Sequence, residues 1–223
     1  MTDQATDLAR ALGLPADTAN TASRTLRDAA GLWPDDGELA GLTELVDLLL
    51  ALASPFPPEE AAKAVEIFRP LPLTSQQVRF LDPATGEVSV MMLIADQPNT
   101  LEECCCAPTL GPMIEQMAGW SDCPGPGLIT PLELCIGGGE GTYSGQIDVF
   151  EVPHKGAPAK CAMGIFYGAD SGSDRPDDAP PARLDRTSRL PATVFPILRR
   201  LAEKSGSALV QAALWPRDDR QGM

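Results

Sequence analysis

Residues 5–33 read ATDLARALGLPADTANTASRTLRDAAGLW: two helix-forming runs separated by Gly13-Leu14-Pro15. In Thr6–Leu12, Leu8, Ala9 and Leu12 share one face at i, i+4 spacing, and Asp7 suits the positive end of the helix dipole. Gly13 accepts the left-handed conformation that ends a helix. Asp17 or Thr18 is placed to cap the second helix by accepting from its free amides. In that helix Ala19, Ala22 and Leu26 recur at helical spacing and are expected to face inward, with Thr18, Thr21, Arg24 and Arg27 on other faces.

Working outward, Trp33-Pro34-Asp35-Asp36-Gly37 is a turn cluster. Glu38–Ala53 predicts a helix striped by Leu39, Leu42, Leu45, Val46, Leu49 and Leu50, and Glu59–Phe68 predicts a shorter one. From Ser75 the pattern changes. Gln77–Leu81 and Glu87–Ile94 predict a hairpin around Asp82–Gly86, and Leu128–Ile136 and Thr142–Val152 predict strands around Gly137–Gly141. Leu101–Trp120 is mixed and partly helical. Lys160–Tyr167 predicts a strand, Asp170–Pro181 a polar loop, Thr193–Lys204 an amphipathic helix facing Val194, Ile197, Leu198 and Leu201 inward, and Ala208–Trp215 a closing strand. The fold class expected is α+β. A helical domain over residues 1–72 precedes a body over residues 73–223 with a mostly antiparallel sheet and one or two helices.

The order helix, Gly turn, helix is that of a helix-turn-helix. Leu8-Ala9-Arg10-Ala11-Leu12-Gly13-Leu14-Pro15, then Thr18 with Arg24-Thr25-Leu26-Arg27, then Ala30-Gly31-Leu32, resemble the headpieces of helix-turn-helix and winged-helix regulators, including small phage and prophage proteins. The resemblance covers only residues 5–33. It implies a non-enzymatic accessory protein of a prophage or mobile element, whose headpiece binds DNA or a protein partner. Thr18, Asn20, Thr21, Arg24 and Arg27 are then the DNA-contacting candidates, because Arg reads guanine edges or phosphates and Asn reads adenine. The pattern departs at Ala19, where a β-branched residue is usual, and one residue is extra before Gly31-Leu32. Asp35, Asp36 and Glu38 stand where a basic wing belongs.

Charge opposes the DNA reading. The net charge is −14; residues 1–180 hold 9 Lys/Arg and 27 Asp/Glu, residues 181–223 hold 8 and 4. Nucleic-acid affinity comes largely from neutralising phosphates, so only the tail has the right sign. An acidic protein-interaction or inhibitor protein without DNA binding is the alternative, with a protein partner or self-association expected. A second alternative is thiol or metal chemistry at Cys104, Cys105 and Cys106, with Cys123, Cys135, Cys161 and the lone His154. Adjacent cysteines diverge, however, and no Cys-x-x-Cys pair is present. Gly137–Gly141 lacks the Gly-Lys-Ser/Thr ending of a phosphate loop, and no nucleophile motif accompanies His154. No cofactor is called for. No apolar run spans a membrane and no basic-then-apolar leader opens the chain, so a cytoplasmic location with reduced thiols is expected.

Overall fold

Helix α1 (Asp3–Ala11) stops where the chain turns at Gly13, which takes φ +71°. The Gly13 N–H returns to the Arg10 carbonyl and the Leu14 N–H to Ala9, satisfying carbonyls that a helix end would otherwise strand. Helix α2 (Ala16–Ala30) starts at Pro15, which sits at the N-cap and offers no side-chain acceptor. The cap expected from Asp17 or Thr18 is therefore absent: Asp17 lies in the first turn, where its charge favours the dipole instead. At the far end Gly31 is left-handed, and Leu32 N–H bonds the Leu26 carbonyl. Ala19, Ala22 and Leu26 are buried, as their spacing predicts.

The computed structural model describes residues 3–35, 37–81, 88–94, 107–120, 129–139, 142–151, 161–168 and 186–206. Helix α3 (Leu42–Ala53) is buried on nearly every side and packs against α2, α4 (Ala61–Phe68), α5 (Leu110–Trp120) and α6 (Val194–Glu203). It begins later than the apolar stripe suggests, because Ala40 is already engaged. The buried Gln4 amide accepts from the Ala40 N–H and donates to the Ala40 and Leu201 carbonyls. That pins residues 38–41 outside the helix and leaves Leu39 48% exposed. A 3-10 turn at Pro58–Glu60 precedes α4, so the helix expected from Glu59 is split in two.

Six strands form one sheet: β1 Leu73–Leu81, β2 Val88–Ile94, β3 Ile129–Gly139, β4 Thr142–Glu151, β5 Cys161–Gly168 and β6 Arg186–Pro191. Their spatial order is β2-β1-β5-β4-β3-β6 and every neighbouring pair is antiparallel. The expected β1–β2 and β3–β4 hairpins are present, although Gly137–Gly139 extend β3 and pair with Ser144, Tyr143 and Thr142. Strand β6 has no counterpart in the sequence pattern. RTSRLP lacks apolar alternation, because its place at the sheet edge does not require one. The predicted strand Ala208–Trp215 and the polar loop Asp170–Pro181 lie outside the described residues.

Leu134, Ile136, Ile147, Ile165 and Tyr167 bury one face of the sheet beneath the helices. Gly145 on β4 makes room for this contact: a Cβ there would lie 2.5 Å from Leu110 Cδ2 on α5. Tyr143 stacks edge-on to Phe68 of α4 at 5.5 Å between centroids, and tilted on Phe56 at 5.8 Å. The helices before residue 72 and the sheet after it thus contribute to one buried cluster. Helix α6 closes it by returning to α1, where Lys204 pairs with Asp7 at 3.1 Å.

Candidate functional site

Helix α2 turns about 100° per residue, which fixes where its polar side chains can stand. Asp17, Thr21, Arg24 and Asp28, at i, i+4, i+7 and i+11, form the stripe opposite buried Ala19, Ala22, Ser23 and Leu26. Arg24, Asp17 and Asp28 are exposed; Thr18, Asn20, Thr21 and Arg27 are half-buried. The five candidate DNA contacts do not converge. Thr21 and Arg24 share the outward stripe, Asn20 and Arg27 flank it on one shoulder, and Thr18 lies about 160° around the helix from Asn20. Arg27 Nε donates to the Pro34 carbonyl at 3.1 Å, tying the guanidinium to the loop after α2. The backbone carbonyls of Asn20 and Thr21 accept from Ser23 and Thr25 hydroxyls. The outward stripe thus offers one cation between two carboxylates.

A groove of about 680 Å³ is walled by Ala29 of α2 and Leu32 just past it, by Ala62, Val65 and Glu66 of α4 and Arg69 at its end, with Pro70 and Thr109 closing it. The small Ala29 and Ala62 side chains keep the walls apart. Arg69 has its guanidinium forked between two carboxylates, Nη1 on Asp47 Oδ1 of α3 and Nη2 on Glu115 Oε1 of α5. The Asp47 side chain is 3% exposed, Arg69 26% and Glu115 25%. Burial pushes the Asp47 carboxyl up to about 6, against the lowering pull of Arg69. Gly111 lets the arginine through: a Cβ there would lie 2.5 Å from Arg69 Cγ, and the Gly111 N–H instead donates to the Arg69 carbonyl at 3.0 Å.

Two carboxylates thus hold the one guanidinium, and Glu66, also on the groove wall, is exposed. The groove therefore has mostly apolar walls, one exposed carboxylate at Glu66, and one cation, Arg69, already held from behind by Asp47 and Glu115. Sequence reasoning missed this cluster. Its one visible signal is Asp47, the charge set within the apolar run LVDLLLALA of α3.

The thiol candidates come out differently. Cys135 is half-buried on β3, opposite Gln146 and Arg189, and is not in a disulfide; Cys161 opens β5. Cys104, Cys105, Cys106, Cys123 and His154 lie outside the described residues. Among the described residues, no three His, Cys, Asp or Glu side chains are grouped as metal ligands, and no helix is long and apolar enough to cross a membrane.

Comparison with protein-family models, with curated proteins and with solved structures finds no match for this chain.

Proposed function

We propose that this chain is a non-enzymatic accessory protein that docks a protein partner beside its helix-turn-helix-like headpiece, receiving a basic amphipathic segment in the α2–α4 groove. One observation carries the reading: the groove joins apolar walls to the exposed carboxylate of Glu66, and the one cation lining it, Arg69, is already held by Asp47 and Glu115. Apolar anchors of a partner helix would pack on Leu32 and Val65, and its Lys or Arg would meet Glu66. The net charge of −14 attracts such a partner over distance.

The test is fluorescence anisotropy of a labelled Leu/Lys amphipathic helical peptide, with a Leu/Glu peptide and a DNA duplex as competitors. The Leu/Lys peptide is expected to bind and the other two to fail. Ala62→Phe, which fills the groove, should abolish binding, and Glu66→Lys should weaken it about tenfold, the cost of one partly desolvated charge contact. Peptide binding that ignores Ala62→Phe would refute the groove.

A second reading keeps DNA as the partner, because Arg24 is exposed at the centre of the α2 stripe. It requires duplex binding that falls steeply with salt and that Arg24→Ala weakens.

A further inference from the structure

The two edges of the sheet are built differently. A strand at a sheet edge leaves alternate N–H and C=O groups without a ladder partner, and such an edge invites pairing with another chain unless charge or proline blunts it. Strand β6 is blunted: RTSRLP carries Arg186, Arg189 and Pro191, and proline has no N–H to donate. Strand β2, at the opposite edge, reads VSVMMLI. It has seven residues, no charge, no proline and no glycine, in a chain where 22% of residues are charged. Among the described residues its second side carries no strand.

We propose that β2 is a self-association edge, at which two copies of this chain pair β2 with β2 across a two-fold axis. Antiparallel overlap of all seven residues centres on Met91. It sets Val90 opposite Met92 of the partner subunit, and Val88 opposite Ile94 of the partner subunit. No cross-strand pair brings like charges together, so the edge is complementary to itself. Strand β6 offers no N–H at Pro191 and carries Arg186 and Arg189, so the same pairing there would lack a donor and gather like charges. The assembly therefore closes at two copies. Both β2 edges are consumed, and the ends left open are the two guarded β6 strands. This inference does not rest on the groove, and the two predict separate losses.

Sedimentation velocity on the full chain over a concentration series tests it. The wild type is expected to dimerise. Met92→Lys and Val90→Glu each place two like charges diagonally across the seam and should weaken the dimer at least about tenfold, with the far-UV spectrum and peptide binding retained. An equimolar mixture of the two variants should recover the dimer, because the ammonium introduced in one copy then stands directly opposite the carboxylate introduced in the other. In the wild type, amide exchange over Val88–Ile94 should slow as concentration rises, a readout that needs no variant. A monomeric wild type, a dimer indifferent to Met92→Lys, a mixture that does not recover, or exchange independent of concentration would each overturn the proposal.

Discussion

The Asp47 carboxyl makes a sharp demand on the pH dependence of stability. Its pKa rises from 3.8 to about 6 in the folded protein, because burial outweighs the pull of Arg69. Between those values the folded state holds a proton that the unfolded chain has released. Lowering the pH through 6 therefore favours folding through this group, opposite to the behaviour of a salt-bridged carboxylate with a depressed pKa. From pH 7.5 to pH 5 the gain works out at about 1.4 kcal/mol, one pKa unit being worth about 1.36 kcal/mol. Arg69 and Glu115 are each about a quarter exposed, so solvent screening reduces this to on the order of 1 kcal/mol. Asp47→Asn removes the titration while keeping an acceptor for Arg69. The assay is urea unfolding of both proteins at steps from pH 7.5 to 5. The wild type should gain on Asp47→Asn as pH falls; in thermal melts of a chain this size that is roughly 2–4 °C. A difference that stays flat, or that moves against the wild type on acidification, would show that Arg69 wins over burial and that the folded carboxyl is not raised.

Further substitutions probe the same architecture. Arg69→Met should cost about 3 kcal/mol in urea unfolding at pH 7.5, by leaving Asp47 buried without its cation, and less at pH 5, where Asp47 is protonated. Gly145→Ala should lower stability by about 1–3 kcal/mol through collision with Leu110, and Leu110→Ala should be milder in that background than in the wild type, a coupling read from a double-mutant cycle. Arg27→Ala should lose about 1 kcal/mol of stability with its bond to the Pro34 carbonyl, whereas exposed Arg24→Ala should leave the thermal melt unchanged.

How much of this is legible in the sequence depends on the range of the interaction. The Gly13 and Gly31 helix ends, the alanine face of α2 and both hairpins follow from local spacing and backbone freedom. The start of α3 departs from its apolar stripe because its determinant is remote: Gln4, 36 residues away, takes the Ala40 amide and carbonyl. The absent cap at Asp17 is local but subtle, since Pro15 fixes the entry of α2 two residues earlier. Strand β6 has no apolar period to detect, because its identity comes from pairing with β3. The acidic cluster is hidden for a similar reason. Arg69 lies 22 residues from Asp47 and 46 from Glu115, and only packing of α3, α4 and α5 brings them together.

The headpiece separates two properties that a motif search treats as one. A helix, a left-handed glycine and a second helix require small residues at the crossing and glycine at the turn, and Ala9, Gly13 and Ala19 meet both needs. Reading a duplex makes a further demand, that one face of the second helix collect donors and positive charge. The inward stripe of α2 is fixed by packing, so only its outward stripe is available for that purpose. There Asp17 and Asp28 bracket Arg24, while Arg27 is turned to the Pro34 carbonyl. Phosphates approaching this surface meet two carboxylates for each exposed guanidinium, so the electrostatic term that dominates nucleic-acid affinity starts with the wrong sign. A basic segment of the kind proposed above would meet the same charges as attraction. The α1–α2 shape alone does not choose between the two proposed partners; Asp17, Asp28, Arg24 and Arg27 are the residues on which the proposed choice of a protein turns.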